Sequence, residues 1–208
     1  MSFKNLKNNS RFIILALLAS ISLSVIVPLM KNQFGISHAS NSTTPIISWD
    51  FSDNKDSNSW SYSPSDEVNY VSNDSKLSTD RGMLKLSVDY SNNSLENYSQ
   101  TGITYSENFP LQVKGVNHAS FDFIYDSTLL NGSFLAKIHS DDCKLDKLVT
   151  IDTLKAVSYA GTLKKVQVQF EFEPIANETT NNLSICIIGN KTSYKGDLRI
   201  DNIKMFAK

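Results

Sequence analysis

The sequence has 208 residues, of which 40% are hydrophobic and 20% charged, and its formal net charge is −1 at pH 7. No basic patch is large enough to indicate nucleic acid or an anionic membrane surface as a partner. Only two cysteines are present, which excludes a small domain held together by several disulfides.

Residues 1–39 have the features of a secretory signal peptide. The segment opens with three basic residues, Lys4, Lys7 and Arg11. An uncharged run over Phe12–Met30 follows, and Ser37–Ala39 offers small residues for cleavage before Ser40. The alternative is a retained N-terminal membrane anchor, because the run is long enough to span a bilayer. Both interpretations place the folded part outside the cytoplasm, either secreted or anchored and facing outward.

Residues 40–45 form a polar linker, and residues 46–208 are long enough for one domain with its own core. Cleavage removes four basic residues and no acidic residue, so the formal charge falls from −1 to −5.

From Ile46 onward the sequence is typical of short strands separated by turns. Leu84–Tyr90 and Lys165–Phe172 alternate strictly between apolar and polar residues, as does Ala119–Tyr125. Other predicted strands are Ile46–Phe51, Glu67–Val71, Ser99–Tyr105, Ser133–His139, Leu148–Ile151, Leu183–Ile188 and Asp197–Phe206. Since no helical stripe follows the signal segment, the pattern predicts an all-β, antiparallel β-sandwich or barrel.

The last strand contains an irregularity with chemical consequences. Its apolar alternation slips by one residue at Asp201, which predicts a β-bulge. The first strand carries Asp50, and terminal strands are often neighbours in sandwiches. Calcium prefers oxygen ligands, so Asp50 and Asp201 are predicted to hold a structural calcium, completed by Asp53 and the loop Asn73–Lys76. The alternative is that Asp201 only stabilises the bulge and that Asp50 is a surface residue.

A second set of residues suits sugar binding, in which aromatic rings stack on pyranoses and amides bond hydroxyls. Trp60 and Tyr98 each lie among polar residues, so we expect both rings to be exposed on one face. Gln100, two residues beyond Tyr98, supplies an amide. The alternative for each ring is a place in the core or at its rim.

Support for catalysis is weak. The three histidines are isolated, and no nucleophile elbow, zinc-binding helix or phosphate loop is present. Glu171 and Glu173 could serve as glycosidase carboxylates, but they alternate with inward residues and fit a solvated face. We therefore predict a protein that is not an enzyme. The sequence leaves undecided whether Cys143 and Cys186 form a disulfide, because it does not show whether the two residues lie close together.

Several segments together resemble one known family in their order and spacing. The most specific segment extends from Ile187 to Asp197 and continues into Ile200–Ile203. The other segments are Trp49–Phe51, Leu86–Tyr90, Phe121–Asp126, Leu130–Ile138 and Gly161–Val166. They resemble the mannan-binding modules of bacterial endo-β-mannanases, the family 27 type of galactose-binding-like β-jelly roll. The similarity extends from Ile46 to Phe206.

The resemblance implies a sandwich with a structural calcium near its termini and an aromatic-lined face that binds mannan. Asp50 and Asp201 match the metal strands, and Trp60 and Tyr98 match positions of stacking rings. Two departures stand out: Tyr98 replaces a commoner tryptophan, and the loop His139–Asp146 lacks an aromatic platform.

The leading interpretation is a secreted, monomeric, non-catalytic protein that binds β-mannan or a related β-linked polysaccharide. A separate glycoside hydrolase is a possible partner, because such modules usually direct an enzyme to its polysaccharide. The alternative is a structural or interaction protein of the cell surface or matrix, using the same jelly roll with a decayed sugar site.

Overall fold

The described part of the chain is built almost entirely of strands. The structure, a computed structural model, describes residues 44–52, 54–63, 78–91 and 100–207, all within the unit Thr43–Lys208. The predicted signal segment and the predicted strand Glu67–Val71 lie outside these residues. Among the residues described, no helix has the length and apolar character needed to cross a membrane.

Seven strands form the larger sheet: β1 (Ile47–Trp49), β3 (Ser78–Thr79), β4 (Leu84–Asp89), β7 (His118–Asp126), β10 (Val157–Ala160), β11 (Leu163–Glu171) and β14 (Lys195–Phe206). Their order is β10-β11-β7-β14-β4-β3, and β1 pairs with the last part of β14. The first and last strands are therefore neighbours, as predicted, with Trp49 opposite Ile203.

Five strands form the second sheet: β2 (Trp60–Ser63), β5 (Gln100–Tyr105), β8 (Ser133–Ser140), β9 (Leu145–Thr150) and β13 (Ser184–Asn190). Their order is β2-β5-β13-β8-β9. A small ladder joins β6 (Leu111–Gln112) to β12 (Thr179–Thr180). The described helical elements are α1 (Asn54–Asn58) and a 3₁₀ turn, Thr153–Lys155. All pairings in these sheets are antiparallel, which confirms the predicted β-sandwich.

The period-two pattern has the predicted physical meaning. On β11, Val166, Val168 and Phe170 are buried, while the intervening Gln167 and Gln169 are exposed. The inward side chains of both sheets meet in one core, because each sheet offers an apolar face that must be removed from water.

The predicted bulge is present on β14. The register of β14 against β7 shifts between Asp201 and Lys204, and Asn202 has a φ of 49°. Asn and Asp tolerate this left-handed region better than other non-glycine residues. The shift keeps Ile203 and Met205 in the core, with exposures of 1% and 0%.

Trp60 occupies the core, so its predicted exposure is wrong. Its side chain is only 3% exposed, and its ring lies 5.1 Å from that of Trp49 and 6.0 Å from that of Tyr105, edge to face in both cases. The polar neighbours of Trp60 in sequence were misleading, because Ser61 points to the opposite face of β2 and is exposed. Trp60 is the inward residue of an alternating strand.

Trp60→Ala is expected to lower the free energy of unfolding by about 3–5 kcal/mol, because truncating a buried aromatic leaves a cavity among its neighbours. Urea denaturation at constant pH measures the loss. Trp60→Phe keeps most of the packing and serves as the matched control, with a much smaller loss. Equal stabilities for wild type and Trp60→Ala would contradict this assignment.

Candidate functional site

The outer face of the five-stranded sheet carries a set of polar and small side chains. We use "outer face" for the side of this sheet that points away from the core. It is formed by Ser61, Gln100, Gly102, Thr104, Leu135, Lys137, His139, Asp146, Leu148, Thr150, Ser184, Cys186 and Ile188.

One row crosses all five strands in register and is entirely polar. Ser61 pairs with Thr104, Thr104 with Ser184, Ser184 with His139, and His139 with Asp146. We call these five residues the polar row. Side chains opposite one another on a sheet lie about 5 Å apart, so the row is a continuous line of hydrogen-bonding groups.

The contacts along the polar row fix its side chains. The Thr104 and Ser184 hydroxyls are 2.9 Å apart and share a hydrogen bond. At the far end, His139 Nε2 lies 3.0 Å from Asp141 Oδ1. Lys137 Nζ lies 3.0 Å from Asp146 Oδ1, so the charges on this part of the face are largely paired. A face of this kind suits a neutral ligand rich in hydroxyls.

Beside the polar row lies a line of small residues. Gly102 pairs with Cys186, which pairs with Lys137 in turn. Because Gly102 has no side chain and Cys186 has a short one, the surface along this line is lower than along the rows of side chains on either side. On its other side lies Gln100, opposite Ile188. The outer face therefore presents a shallow trough with the polar row on one margin and a mixed row, Gln100, Ile188, Leu135 and Thr150, on the other.

The three predicted sugar-binding residues have different outcomes. Gln100 lies on the outer face and is half-buried. Trp60 lies on the inner side of the same sheet, since it pairs with the buried Tyr105, so it does not share a surface with Gln100. Tyr98 lies outside the described residues. The predicted pair of stacked rings therefore cannot be built with Trp60 in its present position.

In the described part of the five strands, no exposed aromatic ring lies on the outer face. The strongly exposed aromatic side chains among the residues described are Phe109 and Tyr159, 76% and 43% exposed, and neither belongs to this sheet. The loop between β8 and β9 also lacks an aromatic residue, as the sequence indicates.

The polar row was missed by sequence reasoning. Its residues are dispersed over five strands, from Ser61 to Ser184. Only the cross-strand register brings them into line.

The second site lies at the bulge, where three carboxylates approach one another. Asp201 is directly opposite Asp122 on β7. Asp122 Oδ2 accepts from Asn202 Nδ2 at 3.0 Å and from Lys165 Nζ at 3.2 Å. Asp50 follows β1, next to the bulge, and its charge acts on Asp201. The structure therefore places the two predicted metal residues near one another, Asp50 just after β1 and Asp201 on the adjacent β14.

Asp201 is electrostatically unfavourable in its ionised form. Burial raises the pKa of Asp201, and the charges of Asp122 and Asp50 raise it further. The Asn202 backbone N–H, which donates to Asp201 Oδ1 at 2.7 Å, and Lys165 oppose this shift. In contrast, the hydroxyl and backbone N–H of Ser52 bond Asp50 Oδ1 and lower the Asp50 pKa.

These carboxylates alone do not make a metal shell. Within residues 44–52, 54–63, 78–91 and 100–207, no group of three or more His, Cys, Asp or Glu side chains could hold a metal. Asp122 is already bonded by Lys165 and Asn202, and Asp50 by Ser52. Asp53 and the loop Asn73–Lys76, expected to complete the shell, lie outside the described residues. Calcium stays a prediction.

The two cysteines are both free and half-buried. Cys186 lies on the outer face, where burial raises the pKa of its thiol. Cys143 lies in the turn between β8 and β9.

Two of three comparisons place the chain among known proteins. No curated protein sequence matches it. A solved structure of TmCBM27, described as a carbohydrate-binding module with specific mannan recognition, superposes with a TM-score of 0.62 at 15% identity. The match covers 79% of this chain and 98% of that one, and at this identity it shows the fold.

A further solved structure is CBM28, described as a module specific for non-crystalline cellulose. It covers 72% of this chain and 89% of its own, at 13% identity with a TM-score of 0.49.

The family comparison confirms the resemblance found in the sequence. The profile of "carbohydrate binding module 27" matches residues 39–208, which is most of the chain and the whole of the described sandwich. This is a family of non-catalytic, sugar-binding modules. The chain therefore belongs to carbohydrate-binding module family 27.

Proposed function

We propose that the protein binds β-mannan or a related β-linked polysaccharide through the outer face. The observation that carries the proposal is the polar row, which offers hydroxyl, imidazole and carboxylate groups in one line beside a trough of small residues. A sugar ring in the trough can bond the polar row on one margin and Gln100 on the other. Mannan as the ligand is supported by the sequence resemblance and by the mannan recognition of TmCBM27.

A neutral polysaccharide fits the charges of this face. The ammonium group of Lys137 is paired with the carboxylate of Asp146, so this pair adds no net charge to the face. Each hydrogen bond between protein and sugar replaces bonds to water and contributes only about 0.5–1.5 kcal/mol, so affinity depends on several of them acting together.

The proposal includes export of the chain with cleavage before Ser40, supported by the basic start, apolar run and small-residue site of residues 1–39. It also includes action as a monomer, with a separate glycoside hydrolase as a possible partner.

A structural calcium at the bulge is the third part of the proposal. Burial, and to a smaller extent the charges of Asp122 and Asp50, raise the Asp201 pKa, and a cation there would stabilise the ionised carboxylate. Asp50 and Asp201 would be its side-chain ligands, completed by oxygen atoms from the neighbouring loops. Its role would be to stabilise the junction of the terminal strands.

One observation favours the alternative, a structural or interaction protein with a decayed sugar site. In the described part of the outer face no exposed aromatic ring is available for stacking. A binding measurement distinguishes the two functions, because only the sugar-binding function predicts retention by a polysaccharide.

Affinity electrophoresis in gels containing soluble galactomannan or glucomannan tests polysaccharide binding. We expect the protein to be retarded, and Gln100→Ala combined with His139→Ala to weaken binding about 5- to 50-fold, since two hydrogen-bonding groups at the trough are lost. Gln112→Ala, an exposed glutamine on β6, is the control and should bind as wild type. Absence of retardation by every β-linked polysaccharide tried would favour the structural role.

Asp201→Asn tests the electrostatics of the bulge. Because the folded-state pKa of Asp201 lies above the ordinary value of 3.8 for an aspartate, the metal-free protein loses stability as the pH rises from that value through the raised pKa. At neutral pH, Asp201→Asn should therefore raise the melting temperature in chelator. Asp89→Asn is the matched control, for which we expect the opposite change in melting temperature. The hydrogen bond from Lys195 lowers the Asp89 pKa to about 2, so removal of the Asp89 charge should destabilise the protein. A lower melting temperature for Asp201→Asn than for wild type in chelator would show that the ionised Asp201 carboxylate does not destabilise the fold.

Calcium addition tests the metal site itself. Calcium should raise the melting temperature of wild type, since a ligand of the folded state alone adds about 2.7 kcal/mol at a hundredfold excess over its Kd. Asp201→Asn should lose most of this response. Identical melting curves of wild type with calcium and with chelator, together with no metal by elemental analysis, would rule out the site.

A further inference from the structure

The outer face carries apolar side chains as well as the polar row. Leu135 on β8 is directly opposite Ile188 on β13. Leu148 on β9 is opposite Lys137, which is two residues from Leu135 on β8. Leu135 and Leu148 are therefore diagonal neighbours, about 7–8 Å apart and within reach of long side chains. We call Ile188, Leu135 and Leu148 the apolar strip.

The larger sheet shows which residues this protein places where a strand only meets water. The outward positions of β4, and of β11 from its third residue onward, are occupied by polar side chains, namely Lys85, Ser87, Asp89, Lys165, Gln167, Gln169 and Glu171. Ile124 on β7 is outward and apolar, but it is fully buried. Leu148 differs from both groups, because it is outward, apolar and 55% exposed. Neither solvation nor packing within the described chain accounts for such a side chain.

Leu148 has an acidic neighbour on the same strand and the same face. Asp146 precedes it by two residues, which is about 7 Å along a strand, and the Asp146 side chain is 61% exposed. Asp146 Oδ1 lies 3.0 Å from Lys137 Nζ and 3.8 Å from His139 Nδ1. Asp146 Oδ2 has no hydrogen-bond or ion-pair partner among the described residues. β9 therefore presents an oriented acceptor and an apolar surface side by side.

The polar row and the apolar strip converge at β9. On β13 four residues separate Ser184 from Ile188, about 13 Å at 3.3 Å per residue, and the same separation applies on β8. On β9 only two residues separate Asp146 from Leu148. The shortest path between a polar and an apolar group of the outer face is therefore on this strand.

A pyranose matches this pair of neighbours by its own chemistry. Its hydroxyls lie mainly around the rim of the ring, and its faces expose C–H groups. A carboxylate accepts hydrogen bonds from the rim, and an aliphatic side chain is removed from water when it covers a face. A purely apolar partner would instead bury the Asp146 carboxylate without a donor for Oδ2, which is unfavourable.

We propose that Leu148 is the platform of the sugar site, on which the C–H face of one pyranose of the polysaccharide packs while hydroxyls of the same ring donate to Asp146. This inference rests on the proposed function and adds a specificity-determining residue to it. Leu148 takes the place of the stacking aromatic ring that the described outer face lacks. Because β9 is the last strand of its sheet, the polymer can continue beyond this ring, so an internal stretch fits as well as a chain end.

Leu148→Ser tests the proposal, because this exposed side chain can be shortened without leaving a cavity in the core. Leu154→Ser is the matched control, since Leu154 is 96% exposed, lies in the 3₁₀ turn before β10 and does not belong to the outer face. Titration calorimetry with mannohexaose measures the Kd of wild type, of both serine variants and of Leu148→Phe.

We expect Leu148→Ser to bind mannohexaose about 3- to 10-fold more weakly than wild type, since the sugar then no longer removes the exposed half of a leucine side chain from water. Leu154→Ser should bind as wild type. Leu148→Phe should bind at least as tightly as wild type, because a ring enlarges the apolar platform. The melting temperatures of all three variants should stay close to that of wild type, because the substitutions are on the surface.

Equal affinities of Leu148→Ser and Leu154→Ser overturn the platform. If Gln100→Ala combined with His139→Ala still weakens binding in that case, the proposed function stands and depends on polar contacts alone. Equal weakening by Leu148→Ser and Leu148→Phe also overturns the platform, because apolar surface would then not be what the sugar requires at this position.

Two further outcomes contradict the inference. If wild type binds neither mannohexaose nor any β-linked polysaccharide, the proposed function and the platform both fail. If Leu148→Ser leaves sugar binding unchanged and alters self-association in sedimentation velocity, the apolar strip is a protein contact.

Discussion

The pairing of β14 is the constraint on which the rest of the sandwich depends. This strand of 12 residues contacts β7 along one side and β4 and then β1 along the other, so it joins three segments from the first half of the described chain to its last strand. Its alternation must place Leu198 and Ile200, and then Ile203 and Met205, in the same core. The bulge reconciles these two halves, since a strict period of two would turn one of them towards water. The cost is that Asp201 is brought, half-buried, against Asp122.

The two faces of the five-stranded sheet show how one strand serves two roles. On β2, Trp60 contributes to the core with Trp49 and Tyr105, and its neighbour Ser61 begins the polar row. Any substitution that shifted the register of β2 by one residue would exchange these faces, and so would disturb packing and the candidate site together. The stability of the core and the geometry of the outer face are therefore coupled through strand register.

The sequence was sufficient for the fold but only partly for the site. Alternation along Leu84–Tyr90 and Lys165–Phe172 predicts the sheets, because burial of an apolar face has a direct signature in period two. The slip at Asp201 likewise predicts the bulge. Trp60 was assigned wrongly because its burial depends on rings from β1 and β5, which local polarity does not reveal. The polar row depends on which strands are neighbours, and a single sequence does not contain that information.

The central position of β14 also affects how the protein reaches its native state. The pairing of Trp49 with Ile203 closes a loop of more than 150 residues, and contacts of such high sequence separation make folding slow. Until β14 has been synthesised, β1, β4 and β7 lack their common partner and present unpaired backbone edges. A nascent chain therefore stays unfolded through most of its translation. The export that we propose would benefit from this delay, because late folding keeps the polypeptide extended for transport.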